Sequence, residues 1–200
     1  MKKQHLILLA LFYISNSFSQ EKNIEFGIKF GANNTISSIS ESDYIKFDSE
    51  IGLNFGAFMN YPVSSKIALR PELLYSTQNL AVKAELFNTT GQTLDLNKST
   101  QKETYINLPV LIKYNFTEKF SILLGPQIGY IINNDDRIIL EGRIRIFDKA
   151  KDRLNFSSNI GLSFKINEKI ETELRYNLGL TELNGFKNSV LQLNFGYIIW

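Results

Sequence analysis

Cysteine is missing from the chain altogether, and histidine occurs once, at position 5. Without thiols there is no disulfide framework, no lipid-bearing cysteine and no thiolate metal site. With histidine confined to the N-terminal stretch, the rest of the chain lacks the Ser-His-Asp and Cys-His arrangements, the common zinc sites and the usual general base. Long apolar runs are missing as well, since nothing past Ile14 approaches the ~18 uninterrupted apolar residues of a membrane-spanning helix. Charge of one sign is also scarce. The 22 lysines and arginines face 20 aspartates and glutamates, a balance that offers no footprint for nucleic acid. No glycine-rich phosphate loop stands between a strand and a helix pattern.

The chain opens MKKQHLILLALFYISNSFSQ, with Lys2 and Lys3 ahead of an apolar run from Leu6 to Ile14 and a small-residue stretch Ser17-Phe18-Ser19. This is the three-part layout of a secretory signal peptide, expected over residues 1–19 with cleavage after Ser19. The apolar run is too short for an anchor, which needs ~20 residues. Residues 20–200 read as one domain.

The domain is dominated by a two-residue period. In YINLPVLIKYNF, residues 105–116, Ile106, Leu108, Val110, Ile112, Tyr114 and Phe116 share one parity, and Asn107, Pro109, Leu111, Lys113 and Asn115 share the other. Such alternation marks a strand with two unlike surroundings. The same pattern recurs over 24–33, 51–61, 67–77, 120–132, 154–166, 170–180 and 189–200. The eight segments predict an all-β fold, an eight-stranded antiparallel up-and-down transmembrane barrel, because bacterial outer-membrane barrels close with an even strand number. Ten to twelve residues at about 3.3 Å each, tilted ~40°, cover the ~25 Å apolar band.

Connection lengths alternate in step. PVSSK (62–66), TEK (117–119) and NEK (167–169) are tight turns, whereas 34–50, 79–103, 133–153 and 181–188 are long or polar. Short turns belong on the periplasmic side and long loops outside. Within 79–103, LAVKAELF keeps a strand-like composition and predicts short extensions of the adjoining strands. Tyr61, Tyr114, Phe116, Phe120, Phe164, Tyr197 and Trp200 fall near the turn side and Tyr75 and Tyr130 near the opposite rim, the positions of interfacial girdles.

With the apolar face toward lipid, the polar face fills a lumen just wide enough for side chains. The expected structural charge network there comprises Lys29, Arg70, Glu72, Lys113, Lys165, Glu171, Glu173 and Arg175, with Glu25 beside them. These charges must pair with one another or with trapped water. Inward glycines such as Gly27, Gly31, Gly56 and Gly129 are expected to make room for them. Pro71, Pro109 and Pro126 fit a closed sheet badly, having no N–H for the ladder, so each predicts a bulge or a missing bond. Asp43, Asp48, Asp135 and Asp136 are too scattered for a cation site and read as solvated loop positions.

RPELLYS (70–76), YINLPVLIKYNF (105–116), GPQIGYII (125–132), LRYNLGLTEL (174–183) and LQLNFGYIIW (191–200) resemble the small outer-membrane β-barrel proteins of Bacteroidetes, the PorT-like or porin-family barrels. The resemblance implies the outer membrane of a Gram-negative bacterium, an eight-stranded barrel and in-strand prolines, with no agreed activity. The secretion role attached to PorT is not carried over, because the shared stretches are wall features. Barrels of this kind end on an outward aromatic read by the insertion machinery. Here Tyr197 and Ile199 keep the outward register and Trp200 falls one residue beyond, so either a bulge restores the phase or Ile199 takes the terminal place.

The leading expectation is a non-enzymatic barrel with a structural, envelope-assembly or partner-binding role. Its expected partners are membrane lipid and lipopolysaccharide, the insertion machinery at the C-terminal strand, and an extracellular or envelope protein at the loops. No cofactor, metal or catalytic residue is expected. Two alternatives stay open: a soluble periplasmic lipocalin-like barrel with its oily faces inward, and a small pore or secretion component.

Overall fold

The computed structural model describes residues 24–37, 45–84, 86–87, 93–94, 98–140, 143–147, 153–181 and 187–200. The expected leader and its cleavage point lie outside them, as do Asp43 and the side chains of Asp48, Asp135 and Asp136. Eight strands make the wall: β1 (Glu25–Ser37), β2 (Ile45–Pro62), β3 (Ile67–Ala84), β4 (Lys98–Asn115), β5 (Phe120–Leu140), β6 (Leu154–Lys165), β7 (Ile170–Gly179) and β8 (Asn188–Ile198). Each pairs antiparallel with its sequence neighbours, and β1 pairs with β8 from Gly27↔Ile198 to Ser37↔Asn188, so the barrel is closed.

The two parities separate as the period requires. Ile51, Leu53 and Phe30 face outward at 74%, 64% and 63% exposure, while Asn33, Asn54 and Asn194 are buried inside at 1–2%. A lipocalin-like barrel needs the reverse, so that alternative is corrected: the oily side chains are on the outside of the barrel.

The three turns on one side share a construction. The side-chain oxygens of Ser64, Thr117 and Asn167 each accept the backbone N–H groups two and three residues on, at 2.8–3.4 Å. One small polar residue thus satisfies two donors at each hairpin end. The turn-side aromatics cluster on the wall above them. The rings of Phe116 and Phe120 stack at 6.2 Å, and Phe120 meets Phe164 at 4.7 Å.

At the chain end, Ile199 and Trp200 both donate backbone N–H groups to Phe26 O, at 2.8 and 3.3 Å, and Phe26 N–H donates to Trp200 O at 2.6 Å. Two residues therefore oppose one, which is a bulge. It restores the phase and turns the Trp200 ring outward onto Phe26, stacked at 6.5 Å.

The other side of the barrel is uneven. β2, β3 and β4 have 18 residues each and β5 has 21, against 12, 10, 11 and 13 for β6, β7, β8 and β1. The segments 34–50, 79–103 and 133–153, expected as loops, therefore contribute strand. β3 and β4 stay paired as far as Lys83↔Lys98, and Arg143–Phe147 pairs with the upper end of β5. Register shifts occur between Glu50 and Asn54 in β2 and at Ile132 in β5, which is left over between the pairs Thr104↔Asn133 and Tyr105↔Ile131. These bulges mark the level at which the tall half of the wall leaves the closed barrel and continues for about 20 Å, six or so residues at 3.3 Å each.

The prolines are not bulges. Rungs between Pro71 and Met59, Pro109 and Glu72, and Pro126 and Val110 are absent, each with one adjacent rung, and the register is identical above and below every gap. No residue has been inserted. Each proline simply lacks the donor, and the gaps run side by side across β2 to β5.

Pro126 is exposed on the outer face, so its ring fills no internal space. Pro126→Ala should restore the bond to Val110 and raise stability by about 1 kcal/mol. A higher urea midpoint in lipid vesicles and a slowly exchanging amide at 126 are the expected readings.

Candidate functional site in the barrel lumen

The lumen is layered along its axis. Near the turns, Asn60, Lys113, Ser121, Ser163, Glu25 and Lys165 line a mouth of about 790 Å3. Above it lies a layer of charge contributed by β1, β3, β4 and β7. Arg70 and Glu72 come from β3 and Glu171, Glu173 and Arg175 from β7, strands on opposite sides of the ring. Strict alternation points all five inward.

Glu72 is the hub. It accepts from Lys29 Nζ at 3.0 Å, from Arg70 Nε at 2.8 Å, and from both terminal nitrogens of Arg175 at 2.8 Å. Glu173 pairs with Lys29 at 3.0 Å and Arg175 at 2.6 Å, and Glu171 with Arg70 at 2.5 Å and Lys113 at 2.9 Å. The side chains of Arg70, Glu72 and Arg175 have no exposure at all. The bidentate Arg175 fork provides geometry a lysine cannot supply. Lys165 stands apart: it pairs with Glu25 at 3.3 Å in the mouth, where both side chains are about a third exposed.

Two features escaped the sequence reading. Phe58 lies on the inward parity, 3% exposed, with the Arg70 guanidinium 3.9 Å above its ring centroid. A cation stacked on an aromatic face in a desolvated site is favourable by roughly 2 kcal/mol. The available signal was a large ring standing between Gly56 and Asn60, with Gly27 directly opposite in β1. A Cβ on Gly27 would collide with that ring, and one on Gly196 would meet Glu171 Cγ at 2.9 Å. Gly56, in contrast, is required by the backbone, because its Cβ would run into the Leu73 carbonyl.

The second feature is apolar packing inside the lumen. Leu74, Tyr105, Leu111, Leu123 and Val190 occupy inward positions at 0–1% exposure. The interior is thus a mixed core rather than a wholly polar one. Beyond the charged layer it continues as amides: Asn54 Nδ2 donates to Asn33 Oδ1 at 2.6 Å, Asn33 Nδ2 to Ser76 Oγ at 2.8 Å and Asn177 Nδ2 to Asn159 Oδ1 at 3.0 Å.

On the outside, Tyr114, Phe116, Phe120, Tyr130 and Tyr197 are 42–47% exposed and Trp200 80%, while Tyr61 is half-buried. Arg153 Nη1 donates to the Tyr130 hydroxyl at 3.4 Å near the tall rim.

A closed barrel with lipid-type side chains outside and paired charges within has a matching family. The model described as "Outer membrane protein beta-barrel domain" covers residues 18–185. The chain belongs to this family. It is accordingly an outer-membrane protein of a Gram-negative envelope, its turns toward the periplasm. No curated protein matches it. Among solved structures it is similar to Neisserial surface protein A, at 12% identity over 87% of this chain and 96% of that one, with a TM-score of 0.50. It is also similar to the attachment invasion locus protein of Yersinia pestis, solved with the heparin analogue sucrose octasulfate, at 14% identity over 90% and 100%, TM-score 0.50. At these identities the likeness is one of fold.

Removing the hub should be costly. Glu72→Gln leaves Lys29, Arg70 and Arg175 with too few carboxylates in a dry layer, and a broken buried pair costs about 3–5 kcal/mol. A drop of that size in urea unfolding, followed by Trp200 fluorescence, is expected. Adding Arg175→Gln should recover part of the loss, since the two changes act on one network.

Proposed function

We propose that the protein is a non-conducting, non-enzymatic membrane anchor that presents a raised extracellular sheet to a protein of the envelope or its surroundings. The observation that carries this reading is the unequal wall. Four adjacent strands rise past the rim while β7, β8 and β1 stop near it. The raised part ends on residues 45–49 at one side and Arg143–Phe147 at the other, and neither has a strand on its outer side among the described residues. Free strand edges carry unpaired N–H and C=O groups and are templates for strand addition. Residues 41–50 hold four carboxylates and one lysine, whereas 137–153 hold six basic residues and three acidic ones, so the edges would attract partners of different charge.

The buried ion-pair layer supports a structural role for Lys29, Arg70, Glu72, Lys113, Glu171, Glu173 and Arg175, with Lys165 bracing the mouth. It also argues against the pore alternative, because the layer fills the lumen with side chains that solvent does not reach. The aromatics Tyr61, Tyr114, Phe116, Phe120, Tyr130, Tyr197 and Trp200 serve as interfacial anchors in this reading, and the β8 end as the insertion signal. Residues 1–19 act as the export leader, and the quoted motifs favour a PorT-like Bacteroidetes origin.

Planar-bilayer recordings of the refolded protein should show no stepwise conductance. A photo-crosslinking residue at Ile144 in cells should yield a protein adduct that the same residue at lipid-facing Leu193 does not. Steady channel openings, or identical crosslinking from both positions, would overturn the reading.

A further inference from the structure

One of the two free edges of the raised sheet has a regular sequence. Arg143–Phe147 reads RIRIF, without proline or glycine, and it pairs with β5 from Asp136↔Phe147 to Leu140↔Arg143 with no register shift. The two-residue period puts Arg143, Arg145 and Phe147 on one face of the sheet and Ile144 and Ile146 on the other. Directly opposite the two arginines β5 has Leu140 and Ile138. The one carboxylate of β5 that the register sets beside them on that face is Asp136, diagonal to Arg145. On the far side no strand follows among the described residues, so the places across from Arg143 and Arg145 are open there.

Edges that merely repel other strands carry lysine, proline or a bulge. This edge has none of the three. Its charges are guanidinium groups, which match a carboxylate through two parallel hydrogen bonds, and its second face holds only isoleucine. Opposite charges directly across a strand pair are favourable and like charges unfavourable, so such an edge accepts one charge pattern and rejects its inverse. We propose that Arg143–Phe147 pairs with an extended segment of a partner protein in which glutamate or aspartate alternates with apolar residues. The acids take the places across from Arg143 and Arg145, and the apolar residues those across from Ile144 and Ile146. The backbone of the segment continues the ladder while its alternate side chains decide specificity. The assignment rests on the raised sheet being the docking surface and adds the edge, the register and the chemistry of the partner. Residues 45–49, IKFDS, do not fit the same segment, because the period sets one lysine and one aspartate on a shared face there.

The test uses the full mature barrel in lipid nanodiscs, with the blocked peptide Thr-Glu-Val-Glu-Val-Glu-Thr as probe. Thr-Val-Glu-Glu-Glu-Val-Thr, which breaks the alternation, and Thr-Lys-Val-Lys-Val-Lys-Thr, which inverts the charge, are the controls. Saturable amide shifts and slowed amide exchange over residues 143–147 are expected with the probe, and neither with the controls. Arg143→Gln combined with Arg145→Gln should weaken binding about tenfold, the scale of two cross-strand charge pairs, whereas Lys46→Gln at the opposite edge should leave it unchanged. Should the double variant lose its pairing with β5, Arg145→Lys, which keeps the charge and loses the fork, should weaken binding about threefold. Equal binding of the peptide with broken alternation, equally tight binding of inorganic polyphosphate, absence of saturable shifts, or undiminished binding by a folded double variant would overturn the assignment. In cells, a protein adduct from Ile144 that persists at full yield in the double variant would leave the docking surface standing and sink this inference, while its loss would support it.

Discussion

In hydrocarbon every backbone N–H and C=O must find its partner within the protein, since no water is present to replace it. A sheet meets that demand only by closing on itself. The β1–β8 pairing is therefore the contact on which the rest depends, because it turns an open sheet with two unsatisfied edges into a ring with none. Closure with eight strands then fixes the radius, and the radius decides that the inside is filled with side chains. The bulge at Ile199 and Trp200 completes this closure at the periplasmic end, using both of the last N–H groups on one carbonyl.

Once the wall is closed, charges have no route to solvent at mid-height and must neutralise one another. The network solves this by joining β3 to β7 across the lumen through Glu72 and Arg175, so it also acts as a brace between opposite walls. The brace sits beside the arc where Pro71, Pro109 and Pro126 each delete a ladder bond. Wall weakness and internal cross-linking thus occupy the same level, with Arg70 and Glu72 flanking Pro71 directly. Buried ion pairs contribute little net stability when compared with apolar packing; their stronger effect here is to fix which strands face each other.

The two ends of the barrel have opposite characters. The periplasmic end is regular, with three like turns and a polar mouth. The outer end is asymmetric, and bulges in β2 and β5 separate the lipid-facing part from a sheet that no longer needs to close. Beyond the membrane, water can satisfy an open edge, and so edges appear only there. The charged layer isolates the two ends from each other.

The sequence by itself determined the strand number, the lipid-facing parity and the periplasmic side. Each depends on short-range pattern: Ile106 to Phe116 alternate whatever they later touch, and PVSSK, TEK and NEK are turns by local chemistry. It also determined that Arg70, Glu72, Glu173 and Arg175 point inward. Tertiary structure alone decided that Arg175 clasps Glu72 across the ring, that Lys113 rather than Lys165 joins Glu171, and that Phe58 slides under Arg70 against Gly27. Those contacts depend on which strands lie opposite after closure and on the stagger between them, quantities set by the whole ring. The same holds for the tall wall. Composition over 133–153 is polar enough for a loop, yet pairing with β5 continues there because its neighbour supplies a ladder, which no single segment can reveal.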